Sequence, residues 1–181
     1  MSQISPLYVL IIEGREGAYK KDEWQLIYEK YHKSVYLYAL SLTKNRTDAE
    51  DLLQETFVKA FLSYENTGSL KGWLVKVLRN EFYNLCRKRK KELLDNGELL
   101  CEYLSSGEDL LAGMIEQEER KALFLAIAAL PVQMKEILME SIYFQLSDEA
   151  IAKAHGLTKE NVRQIRCRAK KKLISSMKEG M

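Results

Sequence analysis

Residues 147–173, SDEAIAKAHGLTKENVRQIRCRAKKKL, set side chains that can bind nucleic acid at the spacing of a helix-turn-helix. Ser147 is a capping residue, and Asp148 and Glu149 after it favour the positive end of a helix dipole. Ile151 and Ala152 point inward, the small Ala152 admitting a second helix closely. Gly156 supplies the tight turn, where a side chain would be strained. Thr158 caps the second helix, whose apolar face is Val162, Ile165, Ala169 and Leu173. Lys159, Glu160, Arg163, Gln164, Cys167 and Lys171 are left on the other face. Guanidinium and amide groups near the start of such a helix pair with base edges in a major groove, and cations farther along pair with phosphates. DNA recognition is the chemistry expected. The rival, a Lys-rich terminal helix on a solvated bundle, leaves the glycine, the small residue and the buried β-branched residue at motif spacing without a reason.

The elements that carry this motif belong to a chain of 181 residues, enough for one or two small domains. A hydrophobic content of 46% with two prolines fits a mostly helical protein. The net charge of +2 averages over blocks of opposite sign. Lys76–Lys91 holds seven Lys or Arg against one Glu, and Lys159–Lys172 again seven against one. Between them, Glu92–Glu119 holds nine acids and no Lys or Arg. Two cationic helices thus flank an anionic connector, a footprint of two nucleic-acid-facing patches. Cys86, Cys101 and Cys167 lack the spacing of a zinc site and read as reduced packing or surface residues. The apolar run Leu7–Ile12 is too short for a signal-peptide core, and nothing approaches a membrane span. A cytoplasmic protein without membrane insertion is expected.

Apolar residues recur at helical spacing through Trp24, Ile27, Tyr28, Tyr31, Val35, Tyr38 and Leu42, an aromatic stripe expected in a core. Lys44-Asn45-Arg46 interrupts it, and Thr47-Asp-Ala-Glu50 is expected as a capping box opening a second helix. That helix would bury Leu53, Phe57, Ala60 and Phe61, leaving Asp51, Gln54 and Glu55 as an acidic-polar stripe. Glu65–Gly68 reads as a loop, after which Ser69 caps a third helix through Leu70, Trp73, Leu74 and Val77 into the basic run Arg87–Lys91. Trp73 falls in the core periodicity. The expected organisation is all-α: a segment 1–19 without assigned function, a helical domain 20–91, an acidic flexible linker 92–116, and a second helical domain 117–177 closed by the helix-turn-helix. In the second domain one helix runs to Leu130 and Pro131 starts the next. His155 is expected to be partly buried and hydrogen-bonded, and His32 to lie on the surface.

Taken in order, YALSLTKNRTDAEDLLQETFVKAF (38–61), GSLKGWLVKVLRNEFYNLCRKRKK (68–91) and ALPVQMKEIL with SDEAIAKAHGLTKENVRQI resemble the extracytoplasmic-function sigma factors of bacterial RNA polymerase. The likeness covers most of residues 20–177. It implies that Asp51, Gln54 and Glu55 bind the coiled coil of the polymerase clamp subunit. It implies that Glu65, Asn66, Thr67, Gly68 and Ser69 form the −10 specificity loop, with Lys76, Arg79, Asn80, Asn84 and Arg87 holding the separated strand. Reading a base on its pairing edge requires taking it out of the stack, at a cost of roughly a few kcal/mol. It implies −35 contacts from Lys159, Glu160, Arg163, Gln164, Arg168 and Lys171. KENVRQI is closer to the recognition helix of primary sigma factors than to the usual pattern of the small group, and Asn84 stands where many relatives have Asp. The implied partners are core RNA polymerase, promoter DNA and an anti-sigma factor.

No P-loop, dinucleotide fingerprint or metal-ligand cluster is present, so no catalytic residue, metal or cofactor is expected. Two other functions compete. A stand-alone helix-turn-helix regulator would leave the basic third helix and the Asp51/Gln54/Glu55 face without a role. An all-helical adaptor would make both basic helices ordinary surfaces.

Overall fold

The computed structural model describes residues 21–65, 68–96 and 118–179, and all regular structure among them is helical. Helices α1 (Lys21–Thr43), α2 (Arg46–Ser63) and α3 (Leu70–Asn96) form the first domain. The aromatic stripe of α1 is its core: Trp24, Val35 and Tyr38 are fully buried, and Leu42 nearly so. Trp24 meets Phe61 edge-on at 5.5 Å, and Tyr28 meets Phe57 at 4.9 Å, an arrangement aromatic quadrupoles favour. Leu74, Val75, Leu78 and Phe82 bring α3 onto this core.

Four local expectations change. Helix α2 starts at Arg46, and its cap is Asn45, whose side chain accepts from the Asp48 N–H at 3.1 Å. Lys44 turns into the left-handed region (φ 53°) and places Asn45 one turn before that donor. Glu50 pairs forward-facing Arg46 at 2.9 Å, so the Thr47–Glu50 box does not form. Leu52, not Leu53, is the deeply buried leucine of α2. His32 is half-buried, stacked on Tyr28 with ring centroids 5.2 Å apart. Helix α3 continues to Asn96, inside the segment read as linker. The rest of that linker, Cys101, Asn66, Thr67 and residues 1–20 lie outside the described residues.

The second domain comprises α4 (Glu118–Ala128), α5 (Val132–Ile142), α6 (Asp148–His155) and α7 (Lys159–Glu179). Pro131 stands just before α5. Ser147 caps α6 by accepting from the Ala150 N–H at 3.1 Å, and Gly156 ends it at φ 64°. Thr158 accepts from the Asn161 N–H at 3.2 Å to cap α7. Ile137, Ile151, Ala152 and Val162 make the small core of the helix-turn-helix, with Ile165 packed at its edge. Ala169 and Leu173 carry α7 onto the larger core formed by α4 and α5.

The two domains touch. Their apolar interiors run together, with Tyr38 of α1 and Phe144 beyond α5 at 6.0 Å. Lys135 of α5, 2% exposed, donates to the Ser41 carbonyl of α1 at 2.5 Å.

Candidate polymerase and nucleic-acid interfaces

Asp51, Gln54 and Glu55 all stand exposed on α2, as an amphipathic helix buried through Leu52 and Phe57 requires. Asp51 and Glu55 line a groove of about 350 Å³ between α2 and α3, with Asp48, Leu52, Glu81, Asn84, Leu85 and Lys88. Lys59 bridges its walls, 3.0 Å from Glu55 and 2.8 Å from Glu81. At one end Arg89 forks onto Asp48, at 2.7 and 2.5 Å, a bidentate pair that fixes α3 against the start of α2.

On α3, Lys76, Asn80, Tyr83 and Arg87 follow at i, i+4, i+7 and i+11 and are all exposed. Cations to hold phosphates, an amide to pair with a base edge and an aromatic face to stack on make a surface suited to single-stranded nucleic acid. Tyr83, 44% exposed, was missed from the sequence, where its place outside the Leu74/Leu78/Phe82 spacing was the available signal. Ser69 accepts from the Gly72 N–H at 3.4 Å at the head of α3. Tyr64, edge-on to Trp73 at 5.8 Å, donates its hydroxyl to the Gly68 carbonyl and so fixes both ends of the 65–69 loop. Glu65 is exposed. Asn84 departs from the stripe: it faces the α2–α3 groove and accepts from Arg87 at 2.5 Å. Arg79 departs too, turning toward the second domain.

On α7, Glu160, Gln164, Cys167 and Lys171 form one exposed stripe, with Arg168 exposed beside it. Lys159 and Arg163 are exposed but paired. Lys159 bonds Glu149, and Arg163 donates to Asp148 at 2.9 Å. Arg166, half-buried, also forks onto Asp148. Hydrogen bonds from Arg166 and then Arg163 hold the Asp148 carboxyl below its ordinary value, and Lys159 does the same for Glu149. The two acids at the start of α6 therefore serve as anchors for the recognition helix as well as dipole partners.

Between the domains lies a buried polar cluster that none of the sequence motifs announced. Glu140 is fully buried, accepting from the Tyr38 hydroxyl at 3.2 Å and facing His155 Nε2 at 2.9 Å. Arg79 Nη2 donates to the Ala154 carbonyl at 2.7 Å, while its Nη1 lies 2.7 Å from the same His155 nitrogen. That nitrogen can donate to Glu140 or accept from Arg79, not both. Glu136 Oε1 has no hydrogen-bond partner, and burial pushes this carboxyl up. Burial, then Glu136, pushes the Tyr83 phenol to about 12, and burial lowers Lys135 to about 8. His155 is thus buried and bonded as expected, although its partners lie on other elements.

Comparison with known proteins decides what these surfaces belong to. Residues 27–92 match the family model for Sigma-70 region 2, and residues 120–173 that for Sigma-70, region 4. The ECF RNA polymerase sigma factor SigM of Bacillus subtilis (strain 168) is 30% identical over 158 residues, covering 86% of this chain and 95% of the relative. The chain is an extracytoplasmic-function sigma factor of the sigma-70 family. The RNA polymerase sigma factor SigV of the same organism is also 30% identical, over 76% of this chain and 79% of its own. Among solved structures, the sigma factor RpoE in complex with the anti-sigma factor NepR from Bartonella quintana matches with a TM-score of 0.66 at 25% identity. That match covers 87% of this chain and 98% of the other.

This sigma factor is a promoter-specific initiation factor that binds RNA polymerase, and it is not an enzyme. Among the described residues no helix is long and apolar enough to cross a membrane. The fold brings Lys76, Asn80 and Arg87 onto one stripe, and Glu160, Gln164 and Lys171 onto another.

Proposed function

We propose that this sigma factor divides its work by surface. Asp51, Gln54 and Glu55 dock on core polymerase. The 65–69 loop with Lys76, Asn80 and Arg87 holds the opened −10 strand, Tyr83 adds a stacking face, and Arg79 joins them once released from the second domain. Glu160, Arg163, Gln164, Arg168 and Lys171 read the −35 duplex, with Lys159 beside them. Residues 20–91 and 117–177 are the working units, and promoter opening is driven by binding energy alone. The observation that carries this reading is the segregation of side chains. The exposed stripe of α2 is acidic and amide-bearing, whereas those of α3 and α7 carry the unburied cations and amides that nucleic acid needs.

The site of action is the cytoplasm, where core polymerase meets the chromosome. An anti-sigma protein is a further partner, in keeping with the NepR complex of the Bartonella quintana neighbour. Run-off transcription with purified core polymerase tests the whole reading. Promoter-dependent transcripts that require this chain are expected. Duplex binding by the chain alone, with no transcript when core is present, would instead identify a stand-alone regulator.

A further inference from the structure

Asp148, the first residue of α6, is bonded by two arginines of α7. Its Oδ2 accepts from Arg163 Nε at 2.9 Å and from Arg166 Nη2 at 3.2 Å. Its Oδ1 accepts from Arg166 Nη1, which also donates to Ser141 Oγ of α5 at 3.3 Å. Ser141, Arg166, Asp148 and Arg163 therefore form one chain of bonds across three helices. Exposure rises at its far end. The Asp148 and Arg166 side chains are 19% and 26% exposed, whereas that of Arg163 is 62% exposed. The chain starts inside the domain and ends on the outer face of α7.

Which edge of Arg163 is bonded decides what the side chain can still do. A guanidinium has a side fork, made by Nε with one Nη, and an end fork made by both Nη groups. The bond to Asp148 takes Nε, so the end fork is the bidentate edge left for a ligand. Two parallel donors match O6 and N7 of guanine in a major groove. Adenine shows one acceptor and one donor there and cannot accept both bonds. An exposed ion pair stabilises a fold little, but here it removes rotamer freedom from a long side chain before a base arrives. A carboxylate beside a base reader would by itself repel phosphates. Arg166 offsets that charge, so the two arginines and Asp148 together remain cationic.

We propose that Asp148 is a specificity-determining positioning residue, which holds the Nε edge of Arg163 and commits its end fork to a guanine of the −35 element. The proposal rests on the −35 assignment of Arg163 above, and its test separates the two. Holoenzyme is bound in competition to promoters carrying each base in turn at each −35 position. Arg163→Ala should bring a guanine preference of roughly five- to a hundredfold close to parity at one or two positions. Asp148→Ala should lower the preference at those same positions by about two- to tenfold, the share that prior ordering of one side chain supplies. Promoters lacking that guanine should bind no more weakly than to the parent, because a negative charge has left the surface. Loosening of the helix-turn-helix would instead weaken every promoter alike.

Asp148→Asn keeps the size of the side chain and an acceptor oxygen, so it guards against misfolding, with helical content checked by circular dichroism. It should fall between the parent and Asp148→Ala. Glu149→Ala removes the neighbouring charge from the same end of α6 and controls for the helix dipole. It should leave the preference at the Arg163 positions intact. Adding Asp148→Ala to Arg163→Ala should change base preference no further. Undiminished guanine preference in Asp148→Ala would overturn the proposal while leaving the −35 assignment standing. Equal loss on every promoter, the same relaxation in Glu149→Ala, or additive loss in the double mutant would overturn it too. Parental base preference in Arg163→Ala would remove the −35 assignment of Arg163 itself.

Discussion

Single side chains of the two nucleic-acid stripes have separable roles. Asn80 is exposed between Lys76 and Arg87 and bonds no neighbouring side chain among the described contacts, leaving both ends of its amide for a base. Asn80→Ala should impair run-off transcription from duplex promoters. A template with a mismatched, pre-opened −10 region should restore most of that loss if the amide acts in opening, and little if it reads a base. Equal activity of mutant and parent on both templates would move the site elsewhere. On α7, Arg163 is steered by Asp148 near the helix start, whereas Lys171 lies two turns on, exposed to solvent. Arg163→Ala should cost roughly 1–3 kcal/mol and relax preference at one or two −35 positions. Lys171→Ala should weaken every sequence alike and lower the salt slope by about one unit. A panel of −35 variants bound by holoenzyme at two salt concentrations checks both. Uniform loss in both mutants would make α7 an electrostatic clamp only.

The helices themselves were the most legible part of the chain. Ser147, Gly156, Thr158 and Val162 act within a few residues of one another, so their types and spacing state the helix-turn-helix outright. The start of α2 was less so, because Asn45 and Thr47 are both good caps, and the choice falls to the backbone of Lys44, which no side-chain pattern reports. Partners far apart in the chain were not legible at all. Asp48 with Arg89, and Arg79 with Ala154, depend on how whole helices pack, whereas periodicity reports only which face is buried. The docking face of α2 can be tested as a unit. Asp51→Arg with Glu55→Arg should abolish co-purification with core polymerase. Among the described residues the ion pair it removes is the exposed Glu55–Lys59 one, so the change in unfolding free energy should stay within about 0.5 kcal/mol. A double mutant that still co-purifies at parental levels would clear this face of the role.

At the scale of the whole molecule, proton binding should bias the domain contact. Lys135 enters it with its pKa lowered to about 8, because burial and then Lys44 disfavour the ammonium. Between about 8 and its ordinary 10.5, the closed form binds fewer protons than the open one. Rising pH therefore favours closure, by up to about tenfold per unit for one proton. Glu136 has the opposite sign at lower pH: its raised carboxyl makes closure weaken as pH climbs out of the carboxylate range. Tyr38 and Tyr83, both raised, oppose Lys135 above about 10. Energy transfer between dyes on Cys86 and Cys167 should thus climb from pH 8 to 10 and then fall as the two tyrosines outweigh Lys135. Lys135→Met should abolish the climb, and a climb that persists in that variant would assign it to other groups.

The apolar continuity through Tyr38 and Phe144 also gives the contact a heat capacity. Hydrating buried apolar surface raises the heat capacity of the separated form, so the free energy of parting the domains is an arch in temperature and not a line. Cooling weakens the attraction between the apolar faces, and heating favours the freedom gained by two tethered bodies. The closed fraction should pass through a maximum and decline on either side. A factor built in this way would be most restrained near the middle of its range, and a shift in either direction would loosen it before any partner acted.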